Sequence, residues 1–305
     1  MTRCAVVVDK SGAEPELLMA DVPDPVPGPH QAVVDVRHAG VNYGDLKASS
    51  VFPAGTVAGF DFSGVVVQPA ADGSGPAVGA RVAGMAPGAW AQRMAASVGD
   101  LAEVPENVDL VQAAALPVAG VTALDTLRNC GPVLGKRVLI TGATGGVGRF
   151  AVQLAALAGA RVVAGVRSSA SEEELHRLGA AEVVVGLDAI KGPFDAVLET
   201  VGGSYLVRAY TELAAGGSLQ SIGWSSEEPA VFQPYSFYGP AKTLTPYTIT
   251  APAGPALSYL VGLVAEERLA VRVGWNGPWT DFRIALAALR NRGIAGKAVM
   301  NLRDA

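Results

Sequence analysis

The segment 137–155 constrains the fold of this chain more than any other part of its sequence. An apolar run, Arg137–Thr141, leads directly into a glycine-rich loop, which opens into an amphipathic, helix-forming stretch. This order of strand, glycine loop and helix is the context in which a glycine pattern indicates a dinucleotide site. The fingerprint reads Ala143-x-Gly145-x-x-Gly148, with an alanine in place of the first glycine.

Two glycines of this loop have separate physical reasons. Gly145 lets the backbone approach a pyrophosphate, Gly148 lets the helix pack closely on the strand, and amides at the helix N-terminus face the anion. The alternative is a tight turn without a ligand, but such a turn does not call for glycines at 145, 146 and 148 together. We therefore expect the cofactor to lie against Ala143, Thr144, Gly145, Gly146 and Val147.

The residues after the next predicted strand indicate which nicotinamide cofactor is bound. An acidic side chain at this position hydrogen-bonds the ribose 2′-hydroxyl of NAD, whereas a cation accepts the 2′-phosphate of NADP. This chain has Arg167-Ser168-Ser169 at about the expected spacing from the glycine loop. Arg167 and Ser168 favour NADPH, and the alternative is that Arg167 is only a solvated strand end.

Strands and helices alternate around the loop. Such alternation predicts an α/β fold with a doubly wound parallel sheet, the Rossmann arrangement. The third and fourth strands are separated by only nine residues, 186–194, so one crossover helix is missing or reduced to a turn. Ser171–Glu174 resembles a capping box that opens a helix. The predicted strands span 137–141, 161–166, 182–185, 195–199, 217–222 and 242–249, and the predicted helices span 146–158, 171–178 and 204–213.

The first hundred residues have a different sequence pattern. Short valine-rich segments separated by proline and glycine clusters predict a compact, barrel-like β module. Apolar residues at helical spacing begin at Asn107. The boundary between the β module and the α/β part of the chain is predicted near Ala119. The predicted β segments are 4–8, 31–38, 62–68 and 81–85, and the tail is predicted as helix 256–267, strand 270–273, helix 282–291 and strand 297–302.

Charge and hydropathy exclude several classes of partner. The chain has 23 basic and 28 acidic residues, a net charge of −5, which gives no basic footprint for nucleic acid or an anionic membrane. Mean hydropathy is +0.32, yet no apolar run reaches the ~18 residues of a spanning helix. The first apolar stretch is too short for a signal peptide, so we expect a cytoplasmic protein. Cys4 and Cys130 lack neighbouring ligands and are expected to be buried free thiols.

Four further segments accompany the glycine loop: 39–45, 59–66, 114–124 and 296–299. In this order they resemble the zinc-free, quinone-oxidoreductase-like branch of the medium-chain dehydrogenase/reductase superfamily, which includes ζ-crystallin and polyketide enoyl reductases. The resemblance covers nearly the whole chain. It implies a GroES-like β-barrel substrate domain at 1–119, completed by 256–305, and an NADP-binding Rossmann domain at 120–255.

The resemblance also bears on metal binding. Zinc-dependent relatives carry a cysteine near the position of Asn42 and a Gly-His-Glu motif where this chain has Gly59-Phe60-Asp61. The chain has only three histidines, so we do not expect a tetrahedral catalytic zinc site. Activation of a carbonyl or enoyl group must then use hydrogen bonds.

The resemblance implies roles for individual residues. Asn42 lies beside the nicotinamide and hydrogen-bonds a substrate or ribose oxygen, unless it only caps a turn, and Asp45 has a structural part in the same loop. Thr122 lies on the first helix flanking the cofactor. The loops after the fourth and fifth Rossmann strands face the ligand crevice, and the residues expected to line the nicotinamide are Val201, Gly202, Ile222 and Gly223.

One departure from the family concerns proton transfer. Relatives commonly carry a tyrosine after the Asn-x-x-Asp element, but this chain has Phe52, which cannot donate a proton. Reduction of a C=C bond needs a proton at the α-carbon, from Tyr43, Tyr238, a bound water or solvent. Reduction of a quinone does not need such a proton donor, because hydroquinone oxygens exchange protons with water. Tyr238 and Lys242 are candidates by position for reaching the cofactor phosphate or the substrate, and the alternative is that they form only a polar surface.

These observations lead to one main hypothesis and several alternatives. The main hypothesis is a zinc-independent, NADPH-dependent oxidoreductase that transfers a hydride to a quinone or an α,β-unsaturated carbonyl. Alternatives are a trans-acting enoyl reductase of polyketide or secondary-metabolite biosynthesis, a catalytically silent NADP(H)-binding accessory or sensor protein, and an enzyme of non-redox ring closure. Expected partners are a small-molecule substrate and a second copy of the chain, paired through the edge strand Lys242–Ile249.

Overall fold

The computed structural model describes residues 2–250 and 252–303. Its strands are, in chain order, β1 (Thr2–Asp9), β2 (Glu16–Pro23), β3 (Gln31–Val41), β4 (Asp61–Gln68), β5 (Arg81–Met85), β6 (Arg93–Ser97), β7 (Leu101–Glu103), β8 (Arg137–Thr141), β9 (Arg161–Val166), β10 (Glu182–Val185), β11 (Phe194–Glu199), β12 (Leu213–Ser221), β13 (Thr243–Pro246), β14 (Val273–Pro278) and β15 (Lys297–Asn301).

Helices and short turns connect these strands. The α-helices are α1 (Ala48–Val51), α2 (Leu110–Ala114), α3 (Pro117–Asn129), α4 (Gly146–Leu157), α5 (Glu172–Arg177), α6 (Gly203–Thr211), α7 (Gly254–Ala265) and α8 (Phe282–Arg290). Single 3₁₀ turns occur at Tyr43–Lys47, Val98–Asp100, Ser169–Ser171 and Trp279–Asp281. None of the helices in the described part of the chain combines the length and the apolar composition that crossing a bilayer requires.

The chain divides into two compact units. The first comprises Met1–Val121 and Thr250–Ala305, and the second comprises Thr122–Ile249. In both divisions, the predicted and the structural, the C-terminal tail returns to the N-terminal unit. The predicted boundaries differ, since they fall after residues 119 and 255.

The first unit is built on a mainly antiparallel sheet in the order β14-β15-β3-β4-β5-β7, with β6 also paired to β3 and a separate β1-β2 hairpin. Its core contains the fully buried rings of Trp90, Phe62 and Phe282. The predicted strand 270–273 is wrong, because the strand begins at Val273, where pairing with β15 starts. β2 was not predicted, because its exposure does not follow a simple alternation.

The second unit is a six-stranded parallel sheet in the order β10-β9-β8-β11-β12-β13. This is the doubly wound order of the Rossmann fold, and the predicted α/β class is confirmed. Residues 186–193 connect β10 to β11 without a helix, as the short spacing predicted. The strand order reverses between β8 and β11, and ligands of such sheets bind outside the carboxyl ends of strands at this point.

Two local expectations need correction. Ser171 does not form the predicted capping box, because it ends a 3₁₀ turn with φ −111° and ψ 12° instead of the extended backbone of an N-cap residue. Cys4 and Cys130 are free, as predicted, but both are only partly buried.

Candidate cofactor and active-site residues

The glycine loop joins β8 to α4 at the carboxyl edge of the parallel sheet. Gly142, the first residue after β8, has a φ of +59°, a conformation that favours glycine. A Cβ at Gly148 would collide with the Gly142 carbonyl oxygen and lie 2.7 Å from the Ala143 Cα. Gly148 is therefore required by the close packing of the loop on the first turn of α4.

Gly145 differs, because the protein itself leaves room for a side chain there. It is the N-cap residue of α4, with an extended backbone at φ −77°, and an added Cβ would meet only the Gly142 carbonyl oxygen, at 3.3 Å. The backbone conformation does not demand a glycine, and an added Cβ would need the Gly142 carbonyl to move by only a few tenths of an ångström. The open face fits a diphosphate, because the first amides of a helix lack intrahelical acceptors and carry partial positive charge.

The other loop residues divide into two groups. Ala143 is fully buried and its amide donates to the Gly165 carbonyl at 3.1 Å, so this residue shapes the loop from inside. The residues left partly exposed around the open face are Thr144, Gly146 and Val147.

Arg167 and Ser168 follow β9, which is the direct neighbour of β8, at the same edge of the sheet. Both side chains are exposed. A guanidinium and a hydroxyl at this position can bind a phosphate monoester through charge-assisted hydrogen bonds.

Three glutamates, Glu172–Glu174, open α5 just beyond this position. Unpaired, they would oppose the binding of a phosphate. Glu173 lies 4.0 Å from Arg177, and Glu174 Oε1 lies 2.6 Å from Nη2 of the buried Arg149, in the first turn of α4. The close Arg149 pair compensates the charge of Glu174, whereas the long, exposed Glu173–Arg177 pair contributes little.

A buried carboxylate fixes the loop that follows β11. Glu199 Oε1 accepts from the Thr141 hydroxyl at 2.9 Å and the Val201 amide at 2.8 Å, and Oε2 accepts from the Gly202 amide at 2.9 Å. Thr200 donates its amide to Thr141 Oγ1 at 2.9 Å and its hydroxyl to the Thr141 carbonyl at 2.8 Å. Burial raises the pKa of Glu199, and the three donors to its carboxylate act against that rise.

This network ties together the ends of β8 and β11, the strands on either side of the reversal point. Gly202 has a φ of +78° and packs on the Trp224 ring, where an added Cβ would lie 2.9 Å from ring carbons. The Ile222 amide donates to the Glu199 carbonyl at 2.8 Å, which joins the next loop. The structure thus brings together the four residues assigned to the nicotinamide: Val201, Gly202, Ile222 and Gly223.

Thr122 is buried in α3, near a tyrosine that the sequence pattern did not single out. That residue, Tyr247, follows β13 and donates its hydroxyl to Asp125 Oδ2 at 3.2 Å. Burial and the Asp125 carboxylate raise the pKa of Tyr247, while contact with the Thr122 side chain acts in the opposite direction. The phenol is therefore protonated at neutral pH.

In the first unit, Asn42 lies between β3 and the turn Tyr43–Lys47. Its backbone amide donates to Asp45 Oδ2 at 2.7 Å, and its side-chain Nδ2 donates to Asp61 Oδ2 at 3.0 Å. Its Oδ1 accepts from the Lys297 ammonium. Because Nδ2 carries two hydrogens, the amide can still donate one to a ligand.

A buried ion pair holds this amide in place. Lys297 Nζ lies 3.0 Å from Asp61 Oδ2, and both side chains are almost completely buried. The ammonium also donates to the Val41 carbonyl at 3.3 Å, and Asp61 Oδ1 accepts from the Val118 amide at 2.8 Å. Asn42 therefore has one fixed orientation.

Asp45 is the most strongly perturbed carboxyl group of this cluster. Burial raises its pKa to about 7, the Asp61 carboxylate adds to the rise, and the Asn42 amide and the Lys297 ammonium oppose it. Near neutral pH this aspartate is thus divided between its charged and neutral forms.

These residues do not fit a zinc ion. The Asp61 carboxylate is already engaged by Asn42, Val118 and Lys297. In the part of the chain that the structure describes, no three His, Cys, Asp or Glu side chains come together in a way that could hold a metal ion.

The structure places the remaining candidates as follows. Lys242 donates to the Tyr210 and Thr211 carbonyls, at 3.3 and 2.9 Å, at the end of α6. Its predicted role at the cofactor is wrong, because it caps a helix at the amino edge of the sheet. Tyr238 is exposed and packs edge-on against Tyr235, and Tyr43 opens the turn after Asn42.

Sequence reasoning missed several polar residues of these sites. An acidic residue at the end of a parallel strand, as at Glu199, is a usable signal, because ligands bind at that edge. Lys297 stands in one of the segments that carry the family resemblance, but no role was assigned to it. In the sequence, Asp61 is distinguished only by standing where zinc-dependent relatives carry a metal-binding motif.

Comparison with known families gives two matches. The alcohol dehydrogenase GroES-like domain matches residues 28–106, and the zinc-binding dehydrogenase family matches residues 146–261. Together the two matches span more than half of the chain.

Two curated relatives illustrate its similarity to known proteins. The chain is 32% identical over 233 residues to a phenolphthiocerol/phthiocerol polyketide synthase protein of Mycobacterium tuberculosis, covering 71% of this chain and 11% of the synthase. It is 34% identical over 232 residues to prostaglandin reductase-3 of Bos taurus, covering 68% of this chain and 59% of the reductase. The chain thus spans about a tenth of the synthase and less than two thirds of the reductase.

Solved structures are similar along nearly the whole chain. The quinone oxidoreductase of Coxiella burnetii has a TM-score of 0.84 and 25% identity, covering 99% of this chain and 100% of that chain. A mycobacterial protein solved in complex with NADPH has a TM-score of 0.86 and 25% identity, covering 98% and 99%. With a GroES-like unit, a Rossmann sheet and matches to both families, the chain belongs to the medium-chain dehydrogenase/reductase superfamily of oxidoreductases.

Proposed function

We propose that this protein is an NADPH-dependent, zinc-independent reductase that transfers a hydride to a quinone or an α,β-unsaturated carbonyl. The observation that carries the proposal is Gly145, a glycine that the protein's own packing does not require, at the open N-terminus of α4. Arg167 supports NADPH over NADH. The quinone oxidoreductase and the NADPH complex among the similar structures support the reaction class and the cofactor.

The chain's own residues fit this cofactor. The open face at Gly145 would hold the diphosphate, and Arg167 with Ser168 would hold the 2′-phosphate. The loops fixed by Glu199 would line the nicotinamide. When bound, the reduced nicotinamide supplies the hydride. The Asn42 amide keeps one hydrogen with which it could donate to a ligand oxygen. No strong acid is needed at the acceptor if it is a quinone, because hydroquinone oxygens exchange protons with water.

Cofactor binding tests the first half of the proposal. We expect NADPH to bind more tightly than NADH by isothermal calorimetry, and Arg167→Glu to reverse this order, because a carboxylate repels the 2′-phosphate. Gly145→Ala should fold normally and lose at least tenfold in NADPH affinity. Equal affinity of wild type and both variants for NADPH would refute the proposed site.

Measurement of turnover tests the second half of the proposal, the transfer of a hydride to an acceptor. Stopped-flow measurement of NADPH oxidation with a panel of quinones and enones is expected to give turnover with at least one of them. Tight NADPH binding without turnover on any acceptor would favour the silent, accessory role instead.

A second candidate function is reduction of a carrier-bound enoyl group in polyketide biosynthesis. The similarity to a polyketide synthase favours it. Enoyl thioesters in the same panel separate the two, since preferential turnover of an enoyl thioester over every quinone would select this second function.

We also propose a homodimer formed through the outer edge of β13. In the described part of the chain no strand pairs with that edge. Unpaired strand edges tend to pair with another chain.

A further inference from the structure

Tyr247 lies at the edge of the sheet where the cofactor is proposed to bind. It directly follows β13, and its backbone amide donates to the Ser221 carbonyl at 2.9 Å. Ser221 ends β12 and immediately precedes Ile222 and Gly223, which we assign to the nicotinamide. The tyrosine is thus next to the nicotinamide loops in space, although it lies more than twenty residues further along the chain.

The hydroxyl of Tyr247 is held in a defined direction. It donates its proton to Asp125 Oδ2, one turn along α3 from Thr122, whose side chain contacts the same phenol. Asp125 is itself 3.8 Å from Arg128 through its other oxygen. Tyr247 as a whole is only partly buried, so the residue is not sealed in the core.

This environment selects one kind of chemistry. A carboxylate next to the phenol opposes its ionisation, since loss of the proton would place two negative charges together. Tyr247 is therefore poorly suited to protonate a substrate carbon. A phenol that donates to a carboxylate is polarised and becomes a better hydrogen-bond acceptor, so its oxygen suits a neutral hydroxyl or amide donor.

The nicotinamide half of the cofactor carries such donors, on its ribose and its carboxamide. The adenosine half of the cofactor would lie at Arg167, which follows β9 on the other side of β8. Building on the function proposed above, we propose that Tyr247 binds the nicotinamide half of the cofactor by accepting a hydrogen bond from its ribose or carboxamide, with Asp125 as the positioning residue that orients the phenol.

Two probes separate this inference from the proposed function. NADPH contains both halves of the cofactor, whereas adenosine 2′,5′-bisphosphate contains only the adenosine half. We expect Tyr247→Phe to weaken NADPH binding about five- to tenfold, the loss of one hydrogen bond, and to leave adenosine 2′,5′-bisphosphate binding unchanged. Tyr235→Phe, the same change at an exposed tyrosine, is the matched control and should alter neither affinity.

A double-mutant cycle tests the role of Asp125. Asp125→Ala is expected to weaken NADPH binding selectively in the wild-type background and to add nothing in the Tyr247→Phe background, because the carboxylate acts through the phenol. Fully additive losses would overturn the positioning role.

The remaining outcomes are also decisive. If Tyr247→Phe leaves both affinities unchanged, or weakens both equally, the tyrosine only ties β13 to α3 and the inference is wrong. If the wild-type protein binds neither probe, the proposed function fails as well.

Discussion

Asp45 is a single residue whose ionisation couples the stability of this fold to pH. Its carboxyl group is almost completely buried in the turn after Asn42, with its pKa raised from 3.8 to about 7. Between these two values the folded chain holds the proton and the unfolded chain has released it. The free energy of unfolding therefore falls as pH rises through this interval.

We expect Asp45→Asn to remove this pH dependence. The amide oxygen can still accept from the Asn42 backbone, and it carries no charge at any pH. Relative to wild type, the variant should gain on the order of 2–3 kcal/mol in unfolding free energy between pH 5 and pH 8. Urea unfolding at several pH values measures this, and a constant difference across the range would show that Asp45 does not titrate in this interval.

At Lys297, in contrast to Asp45, the charged form of the side chain stabilises the fold. Lys297→Met would leave the Asp61 carboxylate buried without its cation, which typically costs about 3–5 kcal/mol. The exposed Lys10→Met serves as control and should stay within about 0.5 kcal/mol of wild type. Urea unfolding compares the two, and a loss below about 1 kcal/mol at Lys297 would contradict the buried pair.

At the level of elements, the junction of β8 and α4 depends on two glycines in different ways. Gly148 is enclosed by the backbone of the loop, whereas a Cβ at Gly145 would meet a single atom, the Gly142 carbonyl oxygen, at 3.3 Å. One glycine is therefore part of the fold, and the other is free to serve a ligand.

Gly148→Ala should consequently affect both folding and binding. We expect a loss of about 1–3 kcal/mol from overpacking, together with weaker NADPH binding, because the loop must shift. Gly262→Ala, in α7, is a suitable comparison, since its added Cβ meets no atom within 4 Å and helical alanine is favoured by about 0.5–1 kcal/mol. Thermal unfolding and calorimetry report both effects, and a Gly148→Ala protein as stable as wild type would argue against the tight loop.

At the scale of the whole molecule, the open edge of β13 is expected to govern assembly. Light scattering should give twice the mass of one chain. The double substitution Thr243→Lys and Thr245→Lys should give single chains, because charges on edge strands oppose pairing. Val185→Lys, on β10 at the other edge of the sheet, should leave the mass unchanged. A monomeric wild-type protein, or a dimer that survives both lysines, would disprove this interface.

The local architecture follows from short-range patterns along the chain. Strand, glycine loop and helix follow one another within about twenty residues, so hydrophobic periodicity and glycine spacing suffice to predict the Rossmann sheet and its missing crossover helix. Arg167 could be found in the same way, because it ends the strand next to the loop.

How the polar groups of the candidate sites pair depends instead on contacts between distant parts of the chain. Lys297 and Asp61 are 236 residues apart in sequence, and Tyr247 and Asp125 are 122 apart. Contacts over such distances leave no periodic pattern, because each partner is placed by a different strand or helix. The sequence shows that these charged and hydroxyl groups exist, but burial and pairing set their protonation and orientation, and both arise only when the sheets form.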